Sequence, residues 1–151
     1  MPRTEKSRKI FEYFAKLGKS EGFEVYYSNN PSEYLLDMCW VYISEKLRLN
    51  WIEVAFEIEL SKKLDAITDE FAKLVDIKAY TKVLLCTPKV DDVGDLIRQA
   101  SELIRYNPLR FYEERYLFIA ITGTRKRFIL NGFVLDSLGN TIALFPSEFP
   151  K

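Results

Sequence analysis

Three features of this sequence predict an α/β fold with a mixed central sheet flanked by helices. The stretch WIEVAFEIEL alternates, with Ile52, Val54, Phe56, Ile58 and Leu60 on one side and Glu53, Glu57 and Glu59 on the other. That period of two marks a β-strand with an apolar face and an acidic face. Leu64, Ile67, Phe71, Leu74 and Val75 then recur at helical spacing, from Lys63 to about Lys78. Finally TKVLLCT, Thr81 to Thr87, is an apolar run of the kind found in buried parallel strands. Strand, helix and strand together make a βαβ unit.

The remaining elements follow in order. Glu5 to about Ser20 reads as a helix with Ile10, Phe11, Phe14 and Leu17 inward, closed by Gly18 and Gly22. Phe23 to Tyr27 is a short strand, and SNNPS, Ser28 to Ser32, is a loop by composition. Tyr34 to Ile43 is a longer strand carrying one acid, Asp37. Ser44 to Asn50 turns the chain into the Trp51 strand. Ser61 is placed to cap the Lys63 helix, whose early acids and late lysines suit the helix dipole. Asp91 or Asp92 opens a further helix to about Tyr106, with Leu96, Ile97, Ala100, Leu103 and Ile104 inward, ended by Asn107-Pro108. Tyr116 to Ile121, Arg127 to Leu135 and Thr141 to Phe145 read as strands, the last two joined by a turn at Ser137 to Asn140.

The chain has 151 residues, the size of one domain, and 48% of them are hydrophobic, enough for a substantial core. Lysine plus arginine equals aspartate plus glutamate, 22 each, so any nucleic-acid contact must come from local clustering. The sequence holds no histidine, which excludes the usual catalytic triad and histidine-ligated zinc. Its two cysteines, Cys39 and Cys86, lie in apolar runs and point to a reducing, cytoplasmic compartment. The charged start, MPRTEKSRKI, lacks the apolar stretch of a signal peptide, and no apolar run approaches the roughly 20 residues that span a bilayer. A soluble protein is expected.

The acids carry the chemistry. In a hairpin with its turn centred on Leu47, Asp37 faces Glu57, and opposed residues share a face with Glu59. A register slip of one residue would destroy this grouping. Two carboxylates about 4 Å apart repel by roughly 1 kcal/mol in water and about 4 kcal/mol at an effective dielectric of 20. A divalent cation reverses that sign, and oxygen-only ligands favour Mg²⁺ or Mn²⁺. Two readings fit the alternation: a metal site, or a solvated strand face.

Through Thr87 the order of elements is α-β-β-β-α-β, with one acid on the second strand and an acid pair ending the third. This order and acid placement resemble the restriction-endonuclease-like, PD-(D/E)xK nuclease superfamily, over roughly residues 5 to 90, with residues 91 to 151 as an extension of a single domain. The resemblance implies metal-dependent hydrolysis of DNA phosphodiesters, with Mg²⁺ or Mn²⁺ as cofactor. It matches Asp37 to the Asp, Glu57 to the Glu, and Glu59 to the Lys position; Leu36 stands where the proline would. With no lysine at Glu59, Lys62, Lys63 or Lys73 are candidates to supply the ammonium. Glu12, on the first helix, is a further candidate for the metal edge, or a solvated helix residue. Many nucleases of this class act as a homodimer, although no dimer interface is legible here. The fold also hosts binding-only relatives, so a non-catalytic nucleic-acid- or protein-binding module is the alternative.

Phosphate backbone contacts are sought in Arg125, Lys126 and Arg127 of TRKR, and in Lys62, Lys63 and Lys73. A solvated hairpin turn explains TRKR equally well. Arg3, Lys6, Arg8 and Lys9 form a second basic stretch. Tyr26, Tyr27, Tyr34 and Tyr42 are either base-stacking or cross-strand aromatics. A Gly-rich phosphate loop, a nucleophile elbow and a zinc signature are all missing from the sequence.

Overall fold

A computed structural model describes residues 5–27, 36–124 and 126–150. Arg3, the Ser28–Ser32 loop, Tyr34 and Arg125 lie outside them. Among the described residues the elements run α1 (Glu5–Ser20), β1 (Glu24–Tyr27), β2 (Met38–Ser44), β3 (Leu49–Glu59), α2 (Leu64–Asp76) and β4 (Ala79–Cys86). A 3₁₀ turn at Val90–Asp92 leads into α3 (Val93–Tyr106), followed by β5 (Arg115–Gly123), β6 (Arg127–Leu135) and β7 (Thr141–Pro150). The protein is therefore α/β, with one mixed seven-stranded sheet ordered as the strands occur in the chain. Strands β1, β2 and β3 are antiparallel neighbours, β3, β4 and β5 are parallel, and β5, β6 and β7 are antiparallel. No helix is long and apolar enough to cross a membrane among the described residues.

The sheet separates two cores. On one face Ile67, Phe71 and Leu74 of α2 and Leu96, Ala100 and Ile104 of α3 pack on Ala55, Leu84, Phe118 and their neighbours. On the other, Phe11 and Ala15 of α1 pack on Met38, Trp40, Phe56 and Val83. The inward face of α1 differs from expectation at one end: Leu17 is exposed, and Gly18 is buried within the helix rather than closing it. The close comes at Gly22, whose φ of 88° suits glycine. Phe23 N–H donates to Gly18 O and Gly22 N–H to Lys19 O, the Schellman arrangement of a helix C-terminus. Gly18 lies against the Trp40 indole, where a Cβ would sit 2.7 Å from the ring.

A β-bulge corrects the simple alternation of β3. Met38 pairs with Phe56, Cys39 with Ala55 and Trp40 with Val54, but Val41 pairs with Ile52. Glu53 is the extra residue, and it switches the facing of everything before it. Ile52 accordingly packs on the α2 side, while Val54 and Ile58 pack on the α1 side. The register expected from a turn centred on Leu47 thus holds at the Asp37 end and fails near the turn. There the loop is Glu45 to Arg48, with Arg48 in a left-handed conformation at φ 53°.

Helix α2 is fastened at its C-terminal end by a buried charge. Lys82 Nζ, on β4, donates to Val75 O at 3.3 Å, to Glu114 Oε2 at 3.0 Å and to Tyr116 Oη at 3.2 Å. Tyr116 Oη donates to Glu114 Oε1 at 2.9 Å, and Asn107 Nδ2 donates to Val75 O at 3.3 Å. Burial holds the Lys82 pKa below its ordinary value and pushes that of Tyr116 up. Ser61 does not cap α2 as expected; its Oγ accepts from Lys63 N–H at 3.2 Å, and the helix starts at Leu64.

Replacing Gly18 by Ala is expected to destabilise the protein by about 1–3 kcal/mol, the usual cost of overpacking. Urea denaturation measures it. An unchanged midpoint would show that α1 and Trp40 separate freely.

Candidate metal centre

The acidic face of β3 is buried at Glu57, while Glu53 and Glu59 are half-buried. With Ala55 and Glu57 at 0% and 2% exposure, it packs beneath α2. Asp37, just before β2, lies beside it: Asp37 Oδ2 accepts from Ile58 N–H at 2.9 Å, fastening the carboxylate to the strand that carries Glu57. From above, α2 contributes Glu70. One carboxylate oxygen from each of Asp37, Glu57 and Glu70 lies within 4.8 Å of the others. An octahedral Mg²⁺ with oxygens at 2.0–2.1 Å spans about 4.2 Å between opposite ligands, so a small side-chain adjustment would bring these three oxygens into such a shell, with water to fill its other positions.

Glu57 dominates the electrostatics. Its Oε1 is buried and has no hydrogen-bond donor. Burial, then Asp37 and Glu70, push its carboxyl pKa up to about 10. Without a cation, Glu57 holds a proton at neutral pH, and that proton supplies the donor that a cluster of carboxylates lacks. Lys73, one turn along α2, donates to both Glu70 oxygens at 2.8 and 2.9 Å. That hydrogen bond raises the Lys73 pKa against partial burial, with smaller help from the Glu57 and Asp37 charges. With all acids ionised, three carboxylates and one ammonium leave a deficit of two positive charges. A divalent cation closes that deficit.

The other sequence candidates fall elsewhere. Glu59 shares the face of Glu57 but does not join the converging group; its Oε1 accepts from Ser61 N–H at 2.6 Å. It lies near buried Cys86, whose thiol is pushed up to about 12 chiefly by burial. Glu12 is exposed on α1, across the sheet from Glu57, and pairs with Arg8 at 3.7 Å. Cys39 is a packed thiol beside Ala55. Tyr42 stacks on Trp51 with ring centroids 4.3 Å apart, at the hairpin end of β2 and β3. Tyr27 packs on the α1 core. Lys62 and Lys63 are exposed between β3 and α2, and Lys126 and Arg127 are exposed at the β5–β6 turn.

Glu70 is the residue that sequence reasoning missed. Its signal was present: it stands three residues after Ile67 and four before Leu74, so an acid interrupts the buried stripe of α2. The chain matches no protein-family model and no curated protein.

The raised carboxyl makes stability depend on pH. The folded chain keeps a Glu57 proton that the unfolded chain loses above its ordinary value of 4.5. Its contribution is complete below that pH and is lost as pH rises toward 10. In EDTA the wild type is expected to lose on the order of 1 kcal/mol per pH unit across the neutral range from this group alone. Glu57→Gln should lack that slope. Parallel pH profiles of the two proteins in urea denaturation would contradict the assignment.

Proposed function

We propose that this protein is a metal-dependent phosphodiesterase acting on DNA, with Asp37, Glu57 and Glu70 holding Mg²⁺ or Mn²⁺. The observation that carries the reading is the buried Glu57 carboxyl, with an oxygen lacking any donor, set between two further carboxylates. Such a cluster is costly as ionised acids alone and favourable around a cation. Support for the finer fold, restriction-endonuclease-like, comes from the α1-β1-β2-β3-α2-β4 order and from Asp37 and Glu57 at adjacent strand ends.

A bound divalent cation in this cluster would polarise a phosphodiester and acidify water. The residues of the chain do the rest. Asp37, fastened to Ile58 N–H, sets the position of the cluster on the sheet. Glu57 would hold the ion as a carboxylate, its proton released to solvent. Lys73 answers the absence of a lysine at Glu59. Its raised pKa keeps it an ammonium, so it acts by offsetting negative charge on the phosphate in the transition state, not as a base. Glu70 orients that ammonium through two hydrogen bonds. Glu59 holds the Ser61 backbone where the chain leaves β3.

Plasmid cleavage with Mg²⁺ or Mn²⁺ tests the proposal. Asp37→Ala and Glu57→Gln should each abolish it and leave the folded circular-dichroism spectrum intact. Cleavage surviving both changes, or none by wild type with either metal, would sink it. The second outcome would favour a binding-only module. Lys73→Met separates positioning from metal binding. It should lower the cleavage rate about 10²–10³-fold with Mn²⁺ affinity retained. An unchanged rate would remove Lys73 from the mechanism.

A further inference from the structure

Beyond the carboxylates, the same end of the sheet carries a groove of about 690 Å³. Its walls come from the segments after β3 and β4, from the end of β5 and the start of β6, and from the start of α1. Among the described lining residues are three lysines, Lys6, Lys62 and Lys89, and no carboxylate. In a chain of zero net charge this local excess is a departure from the rest of the surface. Thr122 also lines the groove; it is 6% exposed, and its Oγ1 has no hydrogen-bond partner. A buried hydroxyl without a partner is uncommon and marks a missing acceptor or donor. The groove is shaped at Gly123, where φ is 100° and a Cβ would meet Arg127 O at 2.5 Å. A side chain there would break the turn from which Thr122 and Thr124 line it.

The metal cluster and this groove are linked through the backbone. Glu59 pairs with Cys86, and Cys86 with Ala120, so the parallel strands end together. Thr87 Oγ1 donates to Leu60 O at 2.9 Å, tying the segment that carries Lys62 to the one that carries Lys89. Three ammoniums with one hydroxyl donor form a set suited to a tetrahedral anion with several acceptor oxygens.

We propose that this groove binds a backbone phosphate of the DNA strand whose cleavage is proposed above, with Lys62, Lys89 and Lys6 supplying charge and the Thr122 hydroxyl a fixed donor. The inference rests on that reading for its ligand, but not for its test. Binding is measured on the full chain in EDTA, where no cleavage occurs, by fluorescence anisotropy of a labelled DNA duplex. Lys62→Ala with Lys89→Ala should weaken binding at least tenfold and reduce the slope of log affinity against log salt by about 2. Thr122→Val keeps the shape and removes the hydroxyl. It should bind several-fold more weakly, with a melting temperature equal to or above wild type.

Wild-type affinity and salt slope in the double variant would overturn the groove assignment, as would failure of wild type to bind DNA. Displacement of DNA by an equal concentration of inorganic phosphate would also overturn it, because the ligand would then be the free anion. Asp37→Ala should bind DNA in EDTA as wild type does. Its loss of cleavage reports on the metal cluster alone, so the two proposals fail separately.

Discussion

The buried carboxyl of Glu57 is the constraint around which this structure is arranged. A strand residue at 2% exposure would ordinarily be apolar, as Ala55 is two positions earlier. Here it is an acid, and its neighbours are Asp37 and Glu70. Isolated, three such carboxylates repel one another in a medium that screens poorly. The chain has two ways to hold them together. One is a proton on Glu57, which its elevated pKa supplies at neutral pH. The other is a cation, which matches the charge left over once Lys73 has neutralised one acid. In the proposed function the site exchanges the proton for a metal.

Holding the acids in register requires the surrounding fold. Asp37 is fastened to β3 through Ile58 N–H, and the bulge at Glu53 preserves that alignment while the hairpin closes on a shorter loop. Glu70 and Lys73 depend on the placement of α2. That helix is seated by Ile67, Phe71 and Leu74 and fastened at its end by Lys82 and Asn107 on Val75 O. The Lys82–Glu114–Tyr116 network is satisfied by its own hydrogen bonds, unlike the Glu57 cluster. Two buried ionisable clusters on one face of one sheet therefore have opposite characters: one is complete, and the other leaves Glu57 Oε1 without a hydrogen-bond partner.

Much of the architecture was legible because period and composition report directly on burial. The apolar run of β4 reads as a buried parallel strand, and the strand has parallel neighbours on both sides. The 3.6 period of α2 and α3 located their buried stripes. What period cannot report is a bulge, since one extra residue at Glu53 leaves local alternation intact while reversing its meaning for Ile52. Nor does it reveal which helix face covers which strand. The acid pair of β3 drew attention to Glu59, yet the third carboxylate comes from α2, because tertiary packing sets Glu70 over Glu57 and backbone geometry turns Glu59 toward Ser61. Lys73 was among three lysines of equal standing in the sequence. Its place one turn from Glu70 separates it from Lys62 and Lys63.

The central claim is that a metal ion and the Glu57 proton exclude one another. Isothermal titration of Mn²⁺ into the metal-free protein at pH 7, in two buffers of different ionisation enthalpy, tests it directly. The account predicts one bound ion and release of about one proton per ion, with both lost in Glu57→Gln. Binding without proton release, or no binding to the wild-type chain, would contradict it.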